Sequence, residues 1–483
     1  VCSEAMNDDS HMRILLPTFQ KNTETVYFKG TLNTVDQPEI VIYITEYSTN
    51  PKMLSEKGNL IGWCSTNTPK KIQTNGKHLL VLEYNTNYRV ERLIIDGHKI
   101  SVAENCIILL YDHHLIKHSE TMTLDDDNFS TLQSLICNQK RSTADTSDHV
   151  LKIPSYLSSS MFAQHLLNYI NLIHWLTSTI RRDKKILIKP ANLILAILTD
   201  IIFGYLILEL LAHDERELSS TLMGVLEELV SLLYSLLKWI MGAPAGLKLN
   251  NAFNKMLGTY FSYHIQLWWL FLDVSGEKLD IVLHVYHYVG YLGFTFQAAL
   301  ISDLICVATF HSYCIYVYAA RLFNIQVSGL IALLRLFVGR KYNPLRGGID
   351  SCEYTNQELF VGTVAFTISL LLLPTTTMYY IVFTLFRLLS LIVQYVLAKL
   401  IYIVQTLPLY VVILWLLQSP KVAGNILLNI ANSGDKSPLV LRVKLLNKPV
   451  GELINKFRPP VQTPKHFEWS NMLSNVFVGK QII

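Results

Sequence analysis

Between Glu358 and Arg387 the chain runs through residues 359–386, LFVGTVAFTISLLLLPTTTMYYIVFTLF, without a single charge. A bilayer core of roughly 30 Å is crossed by about 20 helical residues, so a run this long is read as membrane-embedded. Thr355 and Glu358 have the spacing of a capping box, which predicts a helix start near Asn356. Pro374 has no N–H to donate and biases Leu373 away from helical geometry. Thr375, Thr376 and Thr377 offer hydroxyls that would cap a new helix. Two readings follow: one long span kinked at Pro374, or a hairpin that turns there, with residues 356–373 going up and Met378 onward coming back. The hairpin is the favoured expectation, because Leu388-Leu389-Ser390 carries no turn signal for a chain that has just crossed at Phe386. A hairpin would sink Arg387 roughly 14 Å into the bilayer, near its middle. A charge at that depth needs a partner, and Asp303 and Asp200 are the acids expected to reach it. In the kinked span Arg387 sits at the far boundary instead.

Charged residues make up 16% of the chain, against about 25% in a soluble domain, and the apolar residues concentrate between residues 190 and 420. The expected fold is therefore an α-helical polytopic membrane protein with a small β or α+β cytosolic N-terminal domain and a short cytosolic C-terminal tail. The expected divisions are a β-rich domain over residues 1–118, a polar linker over 119–150, an amphipathic helix and basic segment over 151–190, a multi-span domain over 191–418 and the tail over 419–483. Strand-like runs in the first division are Arg13–Pro17, Val26–Leu32, Glu39–Glu46, Leu79–Tyr84, Arg89–Asp96 and Cys106–Asp112, and Leu439–Leu446 in the tail has the same alternation. Lys and Arg near a span stay cytoplasmic. The cluster Arg181–Lys185 thus places the N-terminal domain in the cytosol, and Arg321, Arg335, Arg340, Lys341 and Arg346 mark a second cytoplasmic region. An even number of crossings must separate the two: either Leu222–Ile240 crosses or Ile281–Ala320 crosses twice. A net charge of +4 does not suggest a nucleic-acid binder. The seven cysteines are scattered and lack a CxxC pair, which fits a reducing face. No signal peptide opens the chain, and a start at Val1 is compatible with a fragment.

The strings Trp239–Asn250 (WIMGAPAGLKLN), Tyr263–Trp268, Ser302-Asp303, Thr309–Cys314, Val317–Leu322, Asn343–Arg346, Ile349–Cys352 and Leu372–Arg387 are long and unusual. Together they resemble the PIG-Q family, subunit Q of phosphatidylinositol N-acetylglucosaminyltransferase, over roughly residues 191–417. The resemblance implies a non-catalytic scaffold subunit of the complex that makes the first intermediate of glycosylphosphatidylinositol anchors at the endoplasmic reticulum membrane. It also implies a separate catalytic partner, PIG-A, further membrane subunits of the PIG-C, PIG-H, PIG-P and PIG-Y types, and no cofactor in this chain.

Read for chemistry of its own, the sequence offers weak signals. Asp125-Asp126-Asp127 contains the D-x-D pattern of metal-dependent glycosyltransferases, but in a polar linker, where a solvated acidic loop is the plainer reading. Glu209 and Glu217 have an E-x7-E spacing across a membrane boundary, with no nucleotide-binding unit nearby. His284 and His287 share a helical face but lack further ligands, so no catalytic or metal residue is assigned. Arg340, Lys341 and Arg346 are the candidate contacts to an anionic lipid, phosphatidylinositol among them, or to an acidic partner surface. Arg387 and Asp303 are the candidate buried charges. The rival reading is a polytopic transporter or channel lined by the scattered Asp, Glu and His.

Overall fold

The computed structural model describes residues 12–19, 25–33, 40–50, 60–65, 78–84, 88–100, 106–122, 128–137, 159–211, 215–242, 244–246, 249–432, 438–464 and 468–481. The chain divides into two units.

The first unit combines residues 1–148, 185–192 and 408–458. It is built on a ten-stranded mixed sheet. Its N-terminal strands are β1 (Met12–Pro17), β2 (Val26–Asn33), β3 (Ile40–Ser48), β4 (Leu60–Ser65), β5 (His78–Tyr84), β6 (Tyr88–Ile95), β7 (His98–Ile100) and β8 (Cys106–Tyr111). Strands β11 (Ala423–Asn432) and β12 (Leu439–Asn447) complete it, in the order β11-β12-β8-β1-β3-β2-β4-β5-β6-β7. The centre is parallel: β1 pairs with β3 and with β8, Met12 lying opposite Ile40 and Cys106. Strands covered on both faces read as continuous apolar runs, and β1 from Ile14 to Leu16 and β8 (CIILLY) do so. One face packs Ile14, Phe28, Ile42, Leu80 and Ile108. On the other face, Leu15, Tyr43 and Tyr111 pack with Ile116 of α1 (His113–His118) and Leu132 of α2 (Asn128–Ile136).

The segment set apart by sequence as a tail differs in the structure. Leu439–Arg442 of β12 pair in parallel with Ile107–Leu110 of β8; Val440 is buried on one face of the sheet and Val443 on the other. The reason is that β8, apolar on both faces, needs a neighbour on its open side, and β12 alternates in the way such a neighbour must. The unit also holds the first turn of α4 (Ile188–Leu211), with α11 (Leu409–Leu416) and α12 (Val450–Lys456); Ile188, Val411, Val422, Leu453 and Phe457 form a small core. The N-terminus of α11 has no cap of its own, and Asn192 supplies one: its Oδ1 accepts from Tyr410 N at 3.0 Å and Val411 N at 3.4 Å.

The second unit is helical: α3 (Met161–Asp183), the remainder of α4, α5 (Glu215–Met241), α6 (Asn251–Gly276), α7 (Leu279–Gly290), α8 (Phe294–Ala308), α9 (Phe310–Phe337), α10 (Asn356–Gln405) and α13 (Trp469–Val478). Between α9 and α10 lies a hairpin of β9 (Arg340–Asn343) and β10 (Gly348–Ser351). Among the described residues, four helices are long and apolar enough to cross a membrane: Ile188–Leu211, Ser219–Met241, Phe310–Phe337 and Asn356–Gln405. Ile281–Ala320, expected as one long apolar stretch, is divided among α7, α8 and the start of α9. At 1.5 Å per residue α7 and α8 are only roughly 18 and 22 Å long, too short to cross singly.

The hairpin expected at Pro374 does not form. α10 is one helix of 50 residues with Pro374 inside it, opened by the expected capping box of Thr355 and Glu358. The threonines that would have capped a new helix turn back along this one: Thr376 Oγ1 donates to Leu372 O at 3.3 Å and Thr377 Oγ1 to Leu373 O at 2.8 Å. Packing then outweighs the lost backbone bond. Immediately after the proline, Tyr379 and Phe383 are buried against Phe261 of α6, and Tyr380 stacks on Phe323 of α9. Tyr379 OH donates to Asn254 Oδ1 at 2.7 Å, while Asn254 Nδ2 donates to Ile240 O at the end of α5.

Candidate functional site

The three cations Arg340, Lys341 and Arg346 meet on the β9–β10 hairpin. Asn343 closes the turn: its Oδ1 accepts from Leu345 N at 3.0 Å, and its Nδ2 donates to Asp350 Oδ2 at 2.8 Å. Gly339 and Gly347 take φ +69° and +63°, the left-handed conformation that admits the chain into and through the turn. Alternation along the strands divides the basic residues. Arg340 lies on the face of Tyr342 and Ile349, while Lys341 lies opposite Asp350, an arrangement of unlike charges across strands. Arg340, Lys341 and Arg346 are exposed, and Leu345 at the tip is 95% exposed. The product is a small basic finger with an apolar tip.

Arg387 and Asp303 are not part of that finger. Arg387 lies 31 residues beyond Asn356 on the same helix, which is roughly 46 Å along its axis. Its guanidinium carbon sits 4.5 Å from the centre of the Tyr313 ring, and its Nε is buried without a hydrogen-bond partner. The expected pairing of Arg387 with Asp303 or Asp200 does not occur. The Asp303 carboxylate accepts from Ser160 Oγ at 2.6 Å, Met161 N at 2.7 Å and Phe162 N at 3.0 Å, at the start of α3. The Asp200 carboxylate accepts from Thr295 N at 2.8 Å and Thr295 Oγ1 at 2.6 Å, at the start of α8. Free N–H groups at a helix start, reinforced by the positive end of the dipole, satisfy a carboxylate without a cation. An aromatic face correspondingly holds a guanidinium without an acid.

Around Asp200 the structure assembles a polar network that sequence reasoning found only in part. Gln297 Nε2 donates to Gly204 O at 2.8 Å and Gly290 O at 3.2 Å, and Tyr286 OH donates to Gln297 Oε1 at 3.2 Å. Gly293 (φ +137°) admits the approach, since a Cβ there would stand 2.4 Å from Asp200 Oδ2. A Gly-Phe-Thr sequence opening a helix after a two-residue break was the available signal; what it faced was not legible. Of the other sequence candidates, Asp125–Asp127 lie outside the described residues. Glu209 is exposed on α4, and Glu217 falls in the first turn of α5. His287 Nε2 is 3.1 Å from Tyr291 OH, within an aromatic group that includes Tyr288.

A family model described as "N-acetylglucosaminyl transferase component (Gpi1)" matches residues 162–424, which include Asp200, Asp303, Arg387 and the β9–β10 finger. Among curated proteins, the chain is 36% identical over 338 residues to "Phosphatidylinositol N-acetylglucosaminyltransferase subunit Q" of Mus musculus, covering 68% of this chain and 57% of that protein. It is 41% identical over 262 residues to the Homo sapiens protein of the same name, covering 53% of this chain and 34% of that one. It is 32% identical over 206 residues to "N-acetylglucosaminyl-phosphatidylinositol biosynthetic protein gpi1" of Schizosaccharomyces pombe, covering 42% of this chain and 32% of that one. No solved structure matches the chain. The chain thus spans less than two thirds of the length of these relatives, but the family match covers more than half of the chain itself. On that match, the chain belongs to the Gpi1 family, the N-acetylglucosaminyl transferase component.

Proposed function

We propose that this chain is a membrane-embedded, non-catalytic scaffold subunit of the complex that transfers N-acetylglucosamine from UDP-N-acetylglucosamine to phosphatidylinositol, the first step of glycosylphosphatidylinositol anchor synthesis. Relatives carrying the name of that transferase support the assignment. One structural observation carries the scaffold role. Two acids of the helical unit, the buried Asp200 and the half-buried Asp303, hold the starts of α8 and α3 rather than facing open space. This use also speaks against a transport path lined by them. The partners are a catalytic subunit of the PIG-A type and membrane subunits of the PIG-C, PIG-H, PIG-P and PIG-Y types. The site is the endoplasmic reticulum membrane, with the sheet unit and both ends of the chain cytosolic. Outward apolar side chains such as Phe360, Val361, Ile368 and Leu371 on α10 fit a lipid surround.

The continuous α10 alters where the basic finger would lie. Residues 359–386 are uncharged over roughly 42 Å, enough for one crossing with tilt. After α10 the chain has only α11, roughly 12 Å long, before it re-enters the sheet. A single crossing by α10 therefore puts Arg340, Lys341 and Arg346 on the membrane face opposite the end of α10. We assign the cytosol to the cluster Arg181–Lys185 and the finger to anionic headgroups, or to an acidic partner surface, on the far face. Arg387 then lies at the cytosolic headgroup level, where its half-exposed side chain suits a phosphate or a partner's carboxylate.

Affinity purification of the full chain in mild detergent tests the main assignment. It should recover a glycosyltransferase subunit, and the recovered assembly should transfer N-acetylglucosamine to phosphatidylinositol. Transfer by the purified chain alone would overturn the scaffold role.

A further inference from the structure

Three segments far apart in sequence converge on Glu120 in the sheet unit. Its backbone N donates to Lys421 O at 3.0 Å, and its Oε2 accepts from Ile188 N at 2.7 Å. Next to it, Ser119 Oγ donates to Ala423 O at 2.6 Å, which fastens the end of α1 to the start of β11. These bonds bring the last turn of α1, the lead into α4 and the lead into β11 to one place, and each brings cations. α1 contributes His114, Lys117 and His118, with the two imidazoles 4.3 Å apart between ring centres. Lys185 stands three residues before Ile188, and Lys421 is the residue bonded to Glu120. His114, Lys117, His118 and Lys185 are exposed, and Lys421 is half-buried.

We propose that the surface formed by His114, Lys117, His118, Lys185 and Lys421 is a binding site for a phosphate-bearing anion. Basic residues in the last turn of α1 are partly explained by the helix dipole. That explanation does not reach Lys185 and Lys421, which belong to other segments. Among the described residues the acid at the centre is Glu120, half-buried, which accepts the Ile188 N–H and offsets part of the charge of Lys421, one carboxylate against five cationic side chains. The mutual repulsion is felt at His118: desolvation first, then His114, Lys117, Lys185 and Lys421, hold its imidazole below the ordinary histidine range. An anion seated among them removes the repulsive part, so its binding takes up a proton and strengthens as the pH falls toward 6. The shared chemistry is a phosphate group, carried either by a soluble ligand or by a lipid headgroup. The lipid source rests on the proposed crossing by α4, whose first residues adjoin Lys185; recognition of phosphate does not.

Binding is measured on the full chain in neutral maltoside micelles, with pyrophosphate and with dioctanoyl phosphatidylinositol as probes, at pH 6 and pH 8. Wild type should bind at least one probe, more tightly at pH 6. The triple variant Lys117→Gln, Lys185→Gln, Lys421→Gln should lose about tenfold or more in affinity. The triple variant to Arg at the same positions should retain binding, which separates lost charge from lost fold. Neutralising Arg340, Lys341 and Arg346 on the finger should leave the value unchanged. Binding of the lipid but not of pyrophosphate identifies a headgroup site, and comparable binding of both identifies phosphate itself. The proposal is overturned if wild type binds neither probe, if the Gln variant binds as wild type does, or if the finger variant alone loses affinity. None of these outcomes depends on whether the chain joins a transferase complex.

Discussion

Asp200→Ala isolates the contribution of the network between α4 and α8. Asp200 is 4% exposed and accepts two hydrogen bonds from Thr295, which is itself 0% exposed. Truncation leaves Thr295 N and Oγ1 as buried donors without their acceptor, and water has little access to replace it. An orphaned buried donor costs about 1–3 kcal/mol. Two donors, of which the hydroxyl is free to rotate elsewhere, give about 3 kcal/mol. At roughly 2–4 °C per kcal/mol for a unit of this size, the midpoint should fall by roughly 6–12 °C. Asp200→Asn keeps an acceptor oxygen while losing the charge, and should fall by about half as much. Tryptophan fluorescence of the detergent-purified chain on heating measures both. Midpoints for Asp200→Ala within about 1 °C of wild type, with the Asn variant no different, would refute the assignment of Asp200 as the structural cap of α8.

Pro374→Ala returns an N–H donor to the turn at Leu370 and should leave the fold and its midpoint unchanged or slightly raised; a loss of several kcal/mol would mean the proline shapes a turn after all. Arg387→Leu strands no acid, so it should cost folding only the cation–π term of about 0.5–2 kcal/mol, and the charge exchange Arg387→Asp with Asp303→Arg should worsen stability, because Asp303 would no longer cap α3; rescue by the exchange would establish the pairing that the structure excludes. Burial pushes the thiols of Cys64 and Cys106 up to about 12. Both should therefore resist a thiolate-directed reagent at pH 8 until the sheet unit unfolds, while the exposed Cys306 reacts, and mass spectrometry of the labelled peptides checks the order. A glycosylation site engineered at Leu345 should be modified in the endoplasmic reticulum, since the finger is assigned to the face opposite the end of α10; absence of modification, with the chain inserted, would return it to the cytosol.

Much of this protein is written locally in its sequence. Thr355 and Glu358 announce the start of α10 because a capping box needs only residues three apart. The runs at Ile14–Leu16, Ile40–Ile44 and Cys106–Tyr111 are apolar without alternation because both faces are covered, and a run of uncharged residues marks α10 as apolar wherever it packs. Three outcomes depended on partners remote in sequence. Pro374 lost its turn because Tyr379, Tyr380 and Phe383 found aromatic neighbours on α6 and α9, contacts that no local pattern encodes. Asp200 and Asp303 went to helix starts rather than to Arg387, because the starts of α8 and α3 arrived beside them with unsatisfied N–H groups. β12 joined β8 across more than three hundred residues, and Glu120 met Ile188 N through its carboxylate and Lys421 O through its backbone N–H, because a strand edge and a shielded polar group must each be satisfied by whatever the fold brings near. Sequence sets which groups demand a partner; only the tertiary structure decides which partner answers.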